Sequence, residues 1–339
     1  MTHERTILQE RLLSIVRRFS QRKITVIGDA IADRFLFGSI TRVSREAPVF
    51  ILRHENTETV PGGAANCAVN LASLGAHVSL ISVTGDDEPG EELRSKLELA
   101  GVNCNGVTTS RNLKTTTKVR ILAGHAHSTR QQVIRIDYED SAAPELGVRD
   151  SIINSLNETF ENGDALIISD YNYGVVDNET VSRIRDLTRT RRIPVLVDSR
   201  FRLSSFNGFT SATPNEDEVE QLIGEKLGST KHLEAAADDL KKKLGYGALL
   251  VTRGPQGMML LEDGVPPLHI KAIGAESPVD VTGAGDTVIA TFGLALASDS
   301  SFSDAARLAN YAGGLVVMKR GTASITAAEL EHSIINSDI

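Results

Sequence analysis

Five short apolar runs, each ending in polar residues and each followed by a stretch of helical periodicity, constrain the fold of this chain most strongly. Ile24-Thr-Val-Ile-Gly28 ends at Asp29, residues 77–83 run to Asp86, 165–169 to Asp170, 194–197 to Asp198, and 248–251 to Thr252 and Arg253. Apolar residues recur at helical spacing over 64–74, 89–100, 148–160, 180–190 and 233–244. Nearly continuous apolar strands alternating with helices imply a mostly parallel sheet covered on both faces. The expected architecture is therefore α/β and doubly wound. Ligands of such sheets gather at the carboxyl ends of the strands, where this chain sets its acidic residues.

Residues 34–60 and 107–137 break the rhythm with short alternating stretches and little helical pattern. They read as antiparallel strands forming a small sheet inserted into the α/β body as a lid. No repeat or low-complexity linker divides the chain, so 1–339 reads as a single domain carrying that insertion. A small sheet with one uncovered face exposes apolar side chains such as Phe35, Phe37, Phe50 and Ile51, which predicts a homodimer through the lid.

The formal charge is −8, from 36 basic and 44 acidic residues, which argues against general nucleic-acid or anionic-membrane binding. No apolar run reaches the roughly 18–20 residues of a membrane span. The first twenty residues alternate charge and apolar groups and do not read as a signal peptide. Cys67 and Cys104 form no CxxC pattern, so neither a disulfide framework nor a zinc site is expected. These features read as a cytoplasmic globular protein.

The strongest chemical signal is Asp280-Val-Thr-Gly-Ala-Gly-Asp286, leading directly into the apolar helix 284–297. Its glycines permit a tight turn with exposed amides, and a helix N-terminus adds a positive dipole end. That arrangement suits charge developing on a phosphoryl group, with Asp286 beside it as a proton acceptor. A plain tight turn with Asp286 as helix cap is the alternative. Pro61-Gly-Gly-Ala-Ala-Asn66 also precedes a helix; its glycines leave room for a polyol, and Asn66 offers donor and acceptor. Asn215-Glu-Asp-Glu218 opens another helix, and Thr252-Arg-Gly-Pro-Gln-Gly257 joins two strands. Taken singly, these read equally well as a cap and a hairpin.

The order and spacing of the four pieces resemble the ribokinase-like (PfkB) carbohydrate kinases over residues 20–330. The resemblance implies ATP-dependent phosphorylation of a sugar hydroxyl. Asp286 would be the base, and the Gly283, Ala284 and Gly285 amides the anion hole. Asp33, Gly62, Gly63 and Asn66, with Asp170, would hold sugar hydroxyls. Asn215 and Glu218 would organise Mg²⁺ and its waters. Thr252, with Gly254 and Gly257 of the same turn, would approach the nucleotide phosphates, and Asn310 and Gly314 would line the adenine pocket. Asp280, Thr282, Gly321 and Ser324 match a monovalent cation (K⁺) site.

Within the family, Gly28-Asp29-Ala-Ile-Ala-Asp33-Arg-Phe-Leu-Phe-Gly38, Arg42-Val-Ser44 and Arg135-Ile-Asp137 resemble the heptose 7-phosphate kinase branch, the kinase half of bifunctional ADP-heptose synthases. The chain ends without room for a nucleotidyltransferase domain, so only the kinase step is expected. A sugar phosphate needs cations away from the transferred group. Arg34, Arg42, Lys118, Arg120 and Arg135 are available, Arg120 and Arg135 being the preferred pair. Arg45 stands where the branch has proline, Tyr173 replaces a lysine, and Asp198-Ser-Arg200 replaces Asp-Pro-Lys. The phosphate end is then rebuilt or the sugar differs, and fructokinase-like and nucleoside kinase activities stay open. An inactive sugar- or nucleotide-binding regulator is the reading from another class, disfavoured by the intact Asp286 loop. His125 and His127 read as solvent-facing, Cys67 as packing, and Lys241-Lys-Lys243 as a helix C-terminus complementing its dipole.

Overall fold

The computed structural model describes residues 2–124, 130–139, 145–274 and 278–337; His125 and His127 lie outside them. In chain order the elements are α1 (Thr2–Val16), β1 (Lys23–Gly28), β2 (Ala30–Val43), β3 (Phe50–Gly63), α2 (Ala64–Ser73), β4 (His77–Gly85), α3 (Glu88–Leu99) and β5 (Val102–Ser110). Next come β6 (Thr117–Gly124), β7 (Gln131–Tyr138), α4 (Leu146–Asn162), β8 (Ala165–Asp170), α5 (Asn178–Thr190), β9 (Val195–Ser199), β10 (Ser211–Ala212) and α6 (Glu216–Ile223). The rest are α7 (Thr230–Leu244), β11 (Ala248–Thr252), β12 (Met258–Glu262), β13 (Val265–Ile270), α8 (Ala284–Ala297), α9 (Phe302–Val316) and α10 (Ala327–Asn336).

Nine strands form the main sheet in the order β13-β12-β11-β10-β9-β8-β1-β4-β5. Pairing is parallel from β11 to β5 and antiparallel only among β11, β12 and β13. Both faces are buried because the apolar runs are continuous: Val26 packs in the layer with α1, α2, α8 and α9, and Ile27 in the layer with α4, α5 and α7. The chain winds from β1 to β4 and β5 on one side, then returns to β8 and beyond on the other. This reversal opens a crevice at the carboxyl ends of β1 and β8, where Asp29 and Tyr171 sit.

The second sheet has the order β3-β2-β6-β7. Its outer pairs are antiparallel, as the alternation suggests, but the central β2–β6 pair is parallel. Both strands follow parallel strands of the main sheet, β1 and β5, and so leave the same edge in the same direction. Residues 107–110 belong to β5, the edge of the main sheet, so the small sheet resumes only at Thr117. A half-covered edge strand alternates in burial just as a two-faced insertion does, hence the shifted boundary.

The expected apolar exposure also moves. Phe35 and Phe37 are half-buried, with the guanidinium groups of Arg120 and Arg130 at 5.3 and 5.5 Å from the ring centroids. Ile51 is half-buried and Phe50 exposed. The outward apolar row is instead Ile134, Ile136 and Tyr138 on β7, which are 52%, 40% and 51% exposed.

Candidate active site

Asp286 lies in the first turn of α8 and is buried. Asn66, in the first turn of α2, donates from Nδ2 to Asp286 Oδ2 at 2.7 Å, and the Tyr171 hydroxyl donates to Oδ1 at 2.9 Å. Asn66 is itself fixed, since Asn70 Nδ2 donates to its carbonyl and its Oδ1, both at 3.0 Å. Thr287 Oγ1 then donates to Asn70 Oδ1 at 2.9 Å. A spacing of four puts Asn66 and Asn70 on one face of α2, from which they reach Asp286 and Thr287 at the start of α8. Burial pushes the Asp286 carboxyl up to about 7, against the two hydrogen bonds, which favour its anion. A carboxylate poised there accepts a proton well near neutrality.

Gly283 precedes α8 in the left-handed region at φ +76°, and a Cβ there would lie 2.5 Å from Asn66 Nδ2. Glycine is required both by conformation and by space. Of the three loop amides, Ala284 N–H closes a turn on the Val281 carbonyl at 3.2 Å. Those of Gly283 and Gly285 make no hydrogen bond among the described residues, which leaves them for an anion.

On the sugar side, β2 and β3 set Ile31 opposite Gly62 and Asp33 opposite Val60. A Cβ on Gly62 would stand 2.5 Å from Asp33 Oδ2, so only a bare backbone leaves room for that carboxylate. Arg120 forms an ion pair with Asp33, and Arg135 chelates Asp137 at 2.7 and 2.8 Å. Arg120 and Arg135 are register partners across β6 and β7 and share one face, as their spacing suggests. Asp170 does not join them. Its carboxylate is buried and accepts from Ser199 Oγ at 2.7 Å and from Arg202, which fixes the end of β8 and turns it away from the sugar side.

Thr252, Gly254, Gly257, Asn310 and Gly314 line one cavity of about 350 Å³, together with Gly285 of the phosphate loop. Met258, Ile273 and Val288 give it apolar walls. Asn310 Nδ2 donates to the Lys271 carbonyl at 2.8 Å, holding the segment after β13 against α9. An apolar slot ending at unspent helix amides fits a nucleotide, with its base among the side chains and its phosphates at the loop.

Asn215 and Glu218 form a reciprocal capping box on α6: Glu218 N–H donates to Asn215 Oδ1 at 2.8 Å, and Asn215 N–H to Glu218 Oε2 at 2.9 Å. A bridge between Asn215 and Thr252 ties this helix start to the nucleotide cavity. Glu218 is pushed up by burial, and half-buried Asp198 well above the ordinary range by burial and by the charges of Asp286 and Glu218. Facing carboxylates that resist ionising together fit a hydrated divalent cation, which needs one or two carboxylates and phosphate oxygens. Among the described residues no cluster of three or more His, Cys, Asp or Glu forms a self-sufficient metal site.

The proposed monovalent-cation residues assemble only in part. Asp280 accepts from Thr282 N–H at 2.9 Å and Gly321 N–H at 3.0 Å. Ser324 turns elsewhere: its carbonyl accepts from Lys319 Nζ at 2.8 Å and its hydroxyl from Ser73 at 2.9 Å. The four therefore do not form one donor set. Cys67 is fully buried beside Asp286 and serves packing, as expected.

Sequence reasoning assigned no role to Tyr171 or Asn70 and placed Asp29 only at a ligand-gathering strand end, not as the buried group that shapes a turn. The Asp29 carboxylate accepts from the amides of Tyr171, Tyr173 and Val175 at 2.8–3.2 Å and shapes the turn that aims Tyr171. Burial and the Asp170 charge push it up to about 6. Their position at strand ends and one turn from a motif residue was the only available signal.

The pfkB family carbohydrate kinase pattern matches residues 21–328. The chain belongs to the pfkB family of carbohydrate kinases. It is 40% identical over 319 residues to the Bifunctional protein HldE of Nitrosococcus oceani, covering 93% of this chain and 64% of that protein. The chain thus spans a little under two thirds of that relative's length. Among solved structures it resembles Arabidopsis thaliana ribokinase complexed with ribose and ATP, with TM-score 0.72, 20% identity and coverage of 93% and 99% of the two chains. It also resembles Escherichia coli phosphofructokinase-2 in complex with potassium, with TM-score 0.74, 20% identity and coverage of 93% and 98%. As a family member it is a sugar kinase using ATP with a divalent metal. No helix among the described residues is long and apolar enough to cross a membrane.

Proposed function

We propose that this kinase phosphorylates D-glycero-D-manno-heptose 7-phosphate at O1, giving the 1,7-bisphosphate, in the cytoplasm. The observation that carries the reading is the pairing of a proton-accepting Asp286 with a charged sugar-side sheet, in a chain 40% identical to a Bifunctional protein HldE. Asp33, Gly62, Gly63 and Asn66 border the sugar, and Arg120 and Arg135 belong to its charged wall. ATP supplies the transferable phosphoryl group, and Asn215, Glu218 and Asp198 would hold a hydrated Mg²⁺ that neutralises charge on the ATP phosphates.

Asp286 Oδ takes the proton of the attacking hydroxyl, while Asn66 and Tyr171 hold the carboxylate on line. The Gly283 and Gly285 amides, at the positive end of α8, stabilise negative charge on the transferred group. The small sheet acts as a lid that excludes water. Its β7 edge, with Ile134, Ile136 and Tyr138 outward, is the surface proposed for a second copy of the chain.

ADP release measured over a panel of heptose 7-phosphate, fructose, fructose 6-phosphate, ribose and a nucleoside tests the reading. The highest kcat/KM is expected for the heptose phosphate. A clear preference for any other acceptor replaces it with another sugar kinase activity.

A further inference from the structure

The face of the small sheet that carries Asp33 presents five charged groups in two rows. Asp33, Lys118 and Asp137 are register partners across β2, β6 and β7, and Arg120 and Arg135 form the adjacent row. The two carboxylates are already paired, Asp33 with Arg120 and Asp137 with Arg135. Lys118, between them in sequence register, makes no hydrogen bond or ion pair among the described residues. It is nevertheless 92% buried, being 8% exposed. Its ammonium stands over two rings, 5.8 Å from the centroid of Tyr171 and 5.6 Å from that of Tyr173.

Burying most of the Lys118 side chain strips its ammonium of part of its hydration without a direct ion pair, and two aromatic faces offset only part of that cost. Burial accordingly draws the Lys118 pKa down, against the attraction of Asp33 and Asp137. Arg200 adds a second positive charge from the exposed side. The other arginines of the small sheet are accounted for: Arg34 pairs with Glu88 and Glu92 of α3, and Arg42 on β2 and Arg53 on β3 are exposed. Among the described cations of the small sheet, only Lys118 is both buried and unpaired. Tyr171 links it to the base, since the same ring lies under Lys118 while its hydroxyl donates to Asp286.

We infer that Lys118 is the residue that recognises the anionic, non-reacting end of the substrate, and that Arg120 and Arg135 instead hold the two carboxylates beside it. This rests on the sugar-phosphate reading above and names its specificity residue. A substrate with its reacting hydroxyl at Asp286 and its phosphate at Lys118 spans the Tyr171 ring. The phosphate supplies the direct ion-pair partner that the protein does not, so an unphosphorylated sugar leaves Lys118 unpaired.

The test compares wild type, Lys118→Met, Lys118→Arg and Arg135→Ala on heptose 7-phosphate and on the same sugar without its phosphate. Methionine matches the length of lysine and removes a buried charge, so the variant should fold, which a thermal melt checks. For Lys118→Met, kcat/KM on the phosphorylated sugar should fall roughly 10- to 100-fold, mostly through KM, and change less than about 3-fold on the unphosphorylated one. Lys118→Arg should recover part of the loss, and Arg135→Ala should fall short of it. Equal losses on both sugars would overturn the inference and assign Lys118 to the base or the transferred phosphoryl group. A wild type that prefers the unphosphorylated sugar would overturn the sugar-phosphate reading itself. A competition readout separates the two failures: inorganic phosphate should inhibit wild type competitively against sugar, and Lys118→Met should be at least about 10-fold less sensitive. Unchanged inhibition in the variant would again reject Lys118.

Discussion

The base end and the sugar end of this site are built from different materials. Around Asp286 the groups are neutral: the short, buried Asn66, Asn70 and Thr287 and the half-buried Tyr171 form one network on two helix starts and a strand end. On the small sheet the groups are charged, with Arg120 paired across strands to Asp33 and Arg135 paired along β7 to Asp137. Short side chains on helix ends fix a reacting atom closely, because few torsions separate it from the backbone. Long charged chains on a thin sheet accept replacement more readily and so suit the choice of substrate. Chemistry common to the family thus resides in the main body, and selectivity in the insertion.

The largest expected effect lies at the base. Asp286→Asn should keep the fold, since its amide oxygen can accept from Asn66 while its NH₂ faces the Tyr171 hydroxyl. Its kcat should fall at least ~10²-fold, with nucleotide binding by titration nearly unchanged. Near-wild-type turnover in the folded variant would remove Asp286 from the mechanism. The same variant carries a stability signature. Burial raises the Asp286 pKa from 3.8 to about 7, so the native state holds this proton more tightly than the unfolded chain. The resulting stabilisation is complete below about pH 4 and is lost as pH climbs through 7. Relative to wild type, Asp286→Asn should therefore melt higher at pH 8 than at pH 5; a constant difference would contradict the raised pKa.

Asn70→Ala comes next. It removes the Nδ2 donor to Asn66 Oδ1 and the 2.9 Å acceptor of the Thr287 hydroxyl, and should cost about 1–3 kcal/mol in urea unfolding, with a fall in kcat as Asn66 loosens. A loss of stability without loss of turnover would show that Asn66 needs no such support. The smallest effect on catalysis belongs to the outer face. Ile136→Asp should leave the monomer folded and its turnover within a few-fold, yet shift sedimentation from dimer to monomer. An unchanged sedimentation profile would clear β7 of a role in assembly.

The same contrast governs what was legible in the sequence. The strands β1, β4, β8, β9 and β11 are continuous apolar runs whose ends carry the chemistry, and α8 begins at Ala284 as its motif suggests. Motif glycines and Asp286 announce themselves by local geometry. Tyr171 and Asn70 do not, because their roles arise from contacts with residues 115 and 217 positions away. In the small sheet, alternation marked the strands but suggested antiparallel pairing throughout; β2 and β6 run parallel because direction depends on where the main sheet releases the chain. It also left the pairing of cations undecided: Arg120, Arg135 and Lys118 look alike in sequence, and only the register separates paired from unpaired.

The acid limb of the pH–rate profile tests the central claim most directly, namely that Asp286 is the base and is tuned by the network around it. For wild type, kcat/KM should fall below a midpoint near 7, the value to which burial brings this carboxyl. Tyr171→Phe removes a hydrogen bond that favours the anion, so its midpoint should move to higher pH while the fold is kept. An acid limb that stays in place when Tyr171 loses its hydroxyl, or that is absent from wild type between pH 5 and 9, would contradict the account.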